Sequence, residues 1–440
     1  SKGLDMKEQK SIPTSKVQRA TRFIKTGANI GSNYLKHYGK KLVTPGLNKD
    51  ALHQDNATYI YNSLSELKGS ALKVAQMLSM DKNMLPSAYQ KQFSMAQYSA
   101  PPLSFPLVNK TFEKYFKKKP GELFDTFSKQ ATNAASIGQV HKATLNGKEL
   151  AVKVQYPGVA DSVKSDLAMV KPIALKMFKL NPADYDEFIG EVESRLTEEA
   201  NYTLELERSM ELSTKCGEIA NLKFPMYYPD LSCPKVLTMD WLAGKPLGEF
   251  LKLEKFSNGD ADKIGQAMWD FYHFQMHKLR SLHADPHPGN FIITDDRQLG
   301  IIDFGCVKVI PDEFYKTYFQ LLDKGILYDE PRLEKVFYQL NFIYKDDTPQ
   351  DKVFFKKVFT ELVELLGRPF QTQEFDFSDS QYFVELYAFG ESISRMKEFR
   401  NSKRARGVKD ALYINRTYFG LYNLLHDMGA KVKTDSWVPF

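Results

Sequence analysis

Asp285 and Asn290 stand five residues apart in His283-Ala284-Asp285-Pro286-His287-Pro288-Gly289-Asn290, and a second carboxylate follows in Asp303-Phe304-Gly305. An aspartate close to a hydroxyl can orient or deprotonate it for attack. An asparagine and a second aspartate supply hard oxygen ligands suited to Mg²⁺. Polyphosphates need such ions to offset their charge, so this set fits phosphoryl transfer from ATP. Residues 291–302 between the clusters read as a hairpin, with Asp303 where it ends. Either motif alone is weak; both in order, with Asn290 between them, form a specific signal. The plain alternative is a solvated turn. For His287, packing is the expected role rather than phosphate contact.

Kinase catalytic loops carry this Asp-to-Asn spacing, and kinases place a strand lysine on the α and β phosphates, paired with a helix glutamate. Lys153, in Ala151-Val152-Lys153-Val154, occupies such a position. Taken alone it reads as an exposed edge-strand lysine; upstream of the aspartate clusters it reads as the phosphate ligand. Its partner is expected on a long helix over 185–209, where Glu191, Glu193, Glu198, Glu199 and Glu205 compete. Asn133-Ala134-Ala135-Ser136-Ile137-Gly138-Gln139-Val140 stands where a kinase carries its Gly-rich loop. Small residues there let backbone N–H groups approach phosphates, though by itself the segment reads as a tight turn.

These groups need a β-rich element followed by a helical one. Gln139–Leu145 and Leu150–Gln155 read as paired strands about an Asn146-Gly147 hairpin turn. Val236-Leu237-Thr238-Met239 reads as a further strand, and after Pro246 the chain reads as mostly helical apart from strands near 291–294 and 298–302. Upstream, residues 16–42 read as a basic, weakly amphipathic helix. Over 57–82, Leu64, Leu67, Ala71, Leu72, Ala75 and Leu78 form one apolar stripe. Pro86, Pro101, Pro102 and Pro106 then mark a loop-rich stretch. Arg416–Leu425 reads as an amphipathic C-terminal helix.

With 42% hydrophobic and 26% charged residues, the chain has a globular balance that argues against disorder. The net charge of +6 is uneven: residues 1–45 hold ten Lys or Arg against Asp5 and Glu8. Such a basic end can favour an anionic membrane surface or nucleic acid, or be a solvated, partly ordered tail; of these partners the membrane surface is expected and nucleic acid is not. Cys216, Cys233 and Cys306 form neither a CxxC nor a disulfide framework, which fits a reducing compartment. No run reaches the length of a transmembrane helix, and the start lacks a secretory apolar stretch. The expected location is cytoplasmic, or peripheral on the inner face of a membrane.

Together these residues resemble the UbiB-type atypical kinase family, also called ABC1-, ADCK- or AarF-like. Ala134 through His141 resembles its Ala-rich loop, Val152 through Val159 the strand and turn carrying its lysine, and His283 through Asn290 its catalytic loop. Asp303-Phe304-Gly305 is similar to its metal motif, and Lys68 through Gln76 to the signature of its N-terminal extension. The extension signature has Ala75 in place of Gly, and the family's Glu-x-Asp stands as Glu199-Ala200-Asn201.

The resemblance implies an α+β, protein-kinase-like two-lobed fold with a β-rich N-lobe, a helical C-lobe and an N-terminal helical extension. The implied domains are a basic segment 1–54, an extension 55–122 that folds over the cleft, an N-lobe 123–240 and a C-lobe 241–440. ATP and Mg²⁺ are the implied cofactors. Asp285 and Lys153 are the catalytic candidates. Ala134, Ala135, Ser136, Gly138, Lys153, Glu199 and Met239 are the nucleotide candidates, Asn290 and Asp303 the metal ligands, and Lys73 and Gln76 the inward-directed residues of the extension.

Three functions stand. One is an ATPase or a small-molecule or lipid kinase supporting quinone or isoprenoid-lipid metabolism at membranes. The second is a nucleotide-binding, lipid-associated scaffold with little phosphoryl transfer. The third is an orthodox protein kinase, disfavoured because no Ala-Pro-Glu segment follows Gly305 and Ala284 replaces the catalytic loop's usual Arg.

Overall fold

The computed structural model describes residues 102–437, apart from Ser136, 178–181, Asn258, 284–285, 305–306 and Lys403. The basic end, the helices expected over 16–42 and 57–82, Lys73, Gln76, Ser136, Asp285 and Gly305 lie outside the described residues. The chain divides into two compact units. One contains the described residues up to Met210 and Met226–Trp241; the other contains Glu211–Pro225 and the residues from Leu242 onward.

In the first unit, α1 (Phe105–Phe116) and the short α2 (Pro120–Leu123) lead into a five-stranded antiparallel sheet. Its path is β1 (Thr126–Phe127), β3 (Gly138–Leu145), β4 (Lys148–Gln155) and β6 (Val236–Asp240), with β2 (Asn133–Ala134) paired to β3. The β3–β4 hairpin turns on Asn146 and Gly147 at φ 51° and 79°. Both values are left-handed, as a type I′ turn requires, and this locks Leu145 opposite Lys148. Along β4 the side chains alternate, so Leu150, Val152 and Val154 are buried in the core while Ala151 and Lys153 face the other side.

A buried relay ties the start of α1 to the sheet. Leu103 N–H donates to Gln139 Oε1 at 2.7 Å, and Gln139 Nε2 donates to His141 Nε2 at 2.9 Å. His141 Nδ1–H therefore donates to the Ser128 carbonyl at 2.8 Å. The ring stacks on Phe127, and burial pushes its pKa down, keeping it neutral.

The single helix expected over 185–209 is two, α4 (Pro182–Glu199) and α5 (Tyr202–Lys215), preceded by α3 (Val159–Met177). The break falls at Ala200–Asn201 because Asn201 caps the second helix: its Oδ1 accepts from Leu204 N–H at 3.1 Å. Where the family carries Asp, Asn serves as this cap without the charge.

In the second unit, β5 (Leu222–Lys223), β10 (Leu299–Ile301), β9 (Phe291–Thr294) and β7 (Gly244–Pro246) form a sheet in that order. Glu211–Pro225, which the sequence reading assigns to the β-rich lobe, groups here because β5 pairs in parallel with β10. Helix α6 (Leu247–Leu253) precedes α7 (Asp260–Phe274), whose last turn widens into a π-helix, Gln275–Leu279. The chain then runs through β8 (Ser281–Leu282) and β11 (Lys308–Val309), which pair with each other. Helices α8 (Asp312–Tyr318), α9 (Glu330–Gln339), α10 (Pro349–Gly367), α11 (Ser380–Arg395), α12 (Lys397–Asn401) and α13 (Lys409–Met428) follow. Strands β12 (Glu374–Asp376) and β13 (Lys431–Lys433) pair beside them. Trp269, Phe370, Phe377, Tyr418 and Tyr422 pack around α7 and α13.

Two histidines inside this aromatic core make the second unit acid-sensitive. Burial pushes the pKa of His273 down to about 3, with neighbouring His277 adding to the shift. Burial, with Arg280 and Lys278 adding, pushes that of His277 down to about 4. Both are neutral in the fold but take up a proton on unfolding near pH 6.5. Their contribution is complete above that pH and is lost as pH falls toward the folded values. At about pH 5 each histidine should cost about 2 kcal/mol. Melts between about pH 7.5 and 5 should show the fall, and His277→Phe should lessen it; an equal fall in both proteins would exclude His277 as a source.

Candidate active site

In the first unit Lys153 sits on a central strand, not an edge. It lies opposite Val140 of β3 on one side and Leu237 of β6 on the other. Two ladders therefore fix its position. Its Nζ lies 3.1 Å and 3.3 Å from the two carboxylate oxygens of Glu205 on α5, and 4.9 Å from the centroid of the Tyr202 ring. The two charged side chains are 13% and 8% exposed, and each offsets part of the other's desolvation. Tyr202 and Glu205 are three residues apart and share a helix face. Of the five competing glutamates, Glu205 makes this ion pair with Lys153; Glu198 pairs with Arg208 at 2.9 Å, and Glu199 ends α4.

The Ala-rich segment starts in β2, which pairs with β3 of the same sheet. Ala134 closes β2, and Ala135 N–H donates to the Gly138 carbonyl at 2.8 Å. A Cβ on Gly138 would lie 2.5 Å from the Val154 carbonyl oxygen and 2.7 Å from the Tyr202 hydroxyl. The glycine is thus required by close packing of the loop base on the strand and helix that carry the Lys153–Glu205 pair. Gly138→Ala should cost about 1–3 kcal/mol through overpacking. A thermal melt equal to that of the unsubstituted protein would rule this contact out. Met239 lies in β6 opposite Ala151 and is 6% exposed.

In the second unit the β9–β10 hairpin sets Asn290 and Asp303. Ile301 pairs with Phe291, and Ile302 N–H donates to the Asn290 carbonyl at 3.2 Å. This extends the ladder one step beyond the strands, so Asn290 and the residue preceding Asp303 are cross-strand neighbours at the open end of the hairpin. Both Asn290 and Asp303 are half-buried. Phe304 is buried and stacks on Phe224, centroids 6.0 Å apart at 14°, and Phe224 meets Phe271 of α7 edge-on. This stack anchors the backbone next to Asp303.

On the other side, His287 Nδ1 accepts from Gly289 N–H at 3.0 Å and caps the 3₁₀ turn Pro288–Asn290. The fully buried Gln275 opens the π-helix. Its Nε2 donates to the Phe271 carbonyl at 3.3 Å, and its Oε1 accepts from His283 N–H at 2.8 Å. The widened turn thereby holds the entry to the segment His283–Asn290; π-turns often lie near functional sites. Asp285 itself lies outside the described residues. Sequence reasoning did not single out Tyr202, Phe224 or Gln275, whose roles depend on contacts between distant segments.

The donor chemistry fits Mg²⁺. Among the described residues no three or more His, Cys, Asp or Glu side chains gather as a metal cage. Asn290 and Asp303 offer one amide and one carboxylate oxygen, which suits an ion completed by phosphate oxygens and water. Beyond Asp303 the chain pairs β11 with β8 and opens α8 at Asp312.

An antiparallel sheet with a glutamate-paired central lysine, and a separate helical unit with an Asn-hairpin-Asp motif, define the kinase-like class. The ABC1 atypical kinase-like domain matches residues 95–337, over half of the chain, and the chain belongs to that family. It is 25% identical over 438 residues to "Atypical kinase COQ8, mitochondrial" of Saccharomyces cerevisiae, covering 97% of this chain and 85% of that one. It is 26% identical over 362 residues to "Probable serine/threonine-protein kinase abkA" of Dictyostelium discoideum, covering 77% of this chain and 64% of the relative. The chain thus spans under two thirds of the latter's length. The solved complex of Rv3197 with erythromycin from Mycobacterium tuberculosis has a similar fold, with TM-score 0.60, 24% identity, and 88% of this chain and 95% of that one covered.

Proposed function

We propose that this chain is an atypical kinase or ATPase that binds Mg·ATP and acts at a membrane surface in support of quinone or isoprenoid-lipid metabolism. The observation that carries the reading is the Lys153–Glu205 pair, a desolvated cation held on a central strand by a helix carboxylate. In the proposed roles, Lys153 binds the α and β phosphates. Ala134, Ala135, Ser136 and Gly138 line their approach, and Glu199 and Met239 contact the nucleotide. Mg²⁺, held by Asn290 and Asp303, would offset phosphate charge. Asp285 accepts the proton of the attacking hydroxyl as its oxygen bonds to the γ-phosphorus and the bond to the β–γ bridging oxygen breaks. With water as acceptor the products are ADP and inorganic phosphate; with an alcohol they are ADP and its phosphate ester. Lys73 and Gln76 of the extension are proposed to face this site.

A small molecule or lipid is the preferred acceptor. Asp312 begins a helix nine residues after Asp303, leaving little chain for a peptide platform. The membrane partner is proposed from the basic end, where each Lys or Arg near an anionic surface contributes about 1 kcal/mol. No helix among the described residues is long and apolar enough to cross a membrane.

The test is Mg²⁺-dependent ATP hydrolysis with and without anionic liposomes, for the unsubstituted chain and Asp285→Asn. Turnover that rises with lipid and falls in the variant supports the reading. No turnover, with a clear Mg·ATP thermal shift, would replace it with a nucleotide-binding scaffold.

A further inference from the structure

The C-terminal helix α13 meets the catalytic segment where Gly420 lies against Pro286. A Cβ at Gly420 would stand 2.7 Å from Pro286 Cγ, 3.2 Å from its carbonyl oxygen and 3.4 Å from its Cβ. Ordinary carbon contacts lie near 3.5–4.0 Å, so one side would have to retreat on the order of 1 Å.

The helix is the side that cannot retreat. Tyr422 donates its hydroxyl to the Leu366 carbonyl of α10 at 2.7 Å, and Tyr418 reaches His273 of α7 at 3.3 Å. Asn415 accepts from the Tyr318 hydroxyl of α8 at 2.6 Å, and Asp410 pairs with Lys308 of β11 at 2.7 Å. Ala411, Ile414, Tyr418, Leu421, Tyr422 and Leu425 are buried along its length. Gly429 closes it in a left-handed cap, with its N–H donating to the His426 carbonyl at 2.9 Å. Against an element fixed to four others, Pro286 must yield, and Asp285 is the residue bonded to its nitrogen.

We infer that Gly420 is a positioning residue for the catalytic loop: the missing Cβ sets the depth at which Pro286 seats, and with it the turn from Pro286 to Asn290 that carries a proposed metal ligand. The inference rests on the phosphoryl-transfer reading for its kinetic consequence, but its structural consequence does not need turnover.

The experiment compares Gly420→Ala, Gly420→Val and Gly390→Ala with the unsubstituted chain. Gly390 is a helical glycine on α11 with nothing within 4 Å of a built Cβ, so it controls for glycine replacement in a helix. Helix propensity alone favours alanine at either position. If Gly420 only completed a helix, Gly420→Ala would melt no lower and turn over ATP unchanged. The expected result is kcat for ATP hydrolysis lower by about tenfold in Gly420→Ala and about a hundredfold in Gly420→Val. KM for ATP should stay within about twofold, and Gly390→Ala should match the unsubstituted chain.

Amide exchange supplies the second readout. Gly289 and Asn290 N–H, bonded to His287 Nδ1 and its carbonyl, should exchange faster in Gly420→Val while the amides of α13 do not. Unchanged kcat in both Gly420 variants overturns the inference, as does faster exchange spread along all of α13. If the unsubstituted chain hydrolyses no ATP, the phosphoryl-transfer reading falls, and exchange at Gly289 and Asn290 alone decides the role of Gly420.

Discussion

Asp303→Asn should abolish the thermal stabilisation that Mg·ATP gives this protein while leaving the unliganded melting temperature unchanged. The two halves of that result have separate causes. The side chains are isosteric, and the turn is held by Phe304 on Phe224 and by the Asn290–Ile302 backbone bond, which the substitution leaves intact. The lost charge acts only where a cation must be held. A ligand at a hundred times its Kd stabilises by about 2.7 kcal/mol. That is worth roughly 2–4 °C per kcal/mol in a mid-sized domain, so several degrees should be at stake. Melts with ATP alone, Mg²⁺ alone and both would measure it. A full Mg·ATP shift in the variant would mean that the metal is held without this carboxylate.

Breaking the Lys153–Glu205 pair should be the other large effect, and stability and activity should part company. Lys153→Met leaves a carboxylate that is 8% exposed without its cation, a loss of about 3–5 kcal/mol. It also removes a preorganised cation from the phosphates, which should lower kcat/KM by about 10²–10³. In Lys153→Met with Glu205→Leu the desolvated charge is gone, so the melting temperature should recover while activity does not. Recovery of both would show the pair to be purely structural. Recovery of neither would show that Glu205 has a second duty in the fold.

The division between sequence and tertiary structure follows from the range of the interactions. The β3–β4 hairpin was legible because Asn146-Gly147 dictates its own backbone geometry, and the alternation in Leu150-Ala151-Val152-Lys153-Val154 assigns Lys153 its face. The β9–β10 hairpin was legible as two short strands, near 291–294 and 298–302, set between the Asn290 and Asp303 motifs. Asn201 as a helix cap was not: a cap competes with helix continuation, and a Glu-rich stretch reads as one helix until the chain turns. The choice of Glu205 among five glutamates depended on that break, because it resets which face of α5 meets the sheet. Lys153 as a central rather than edge residue depended on β6, more than eighty residues away in the chain. Phe224 beneath Phe304, Gln275 behind His283 and Gly420 against Pro286 are likewise meetings of distant segments. The sequence by itself determined which chemical groups are present and the hairpins that carry Lys153, Asn290 and Asp303, the proposed phosphate and metal ligands. Only the tertiary structure decided which carboxylate partners Lys153 and what supports the catalytic loop, because packing between segments has no period or spacing along the chain to betray it.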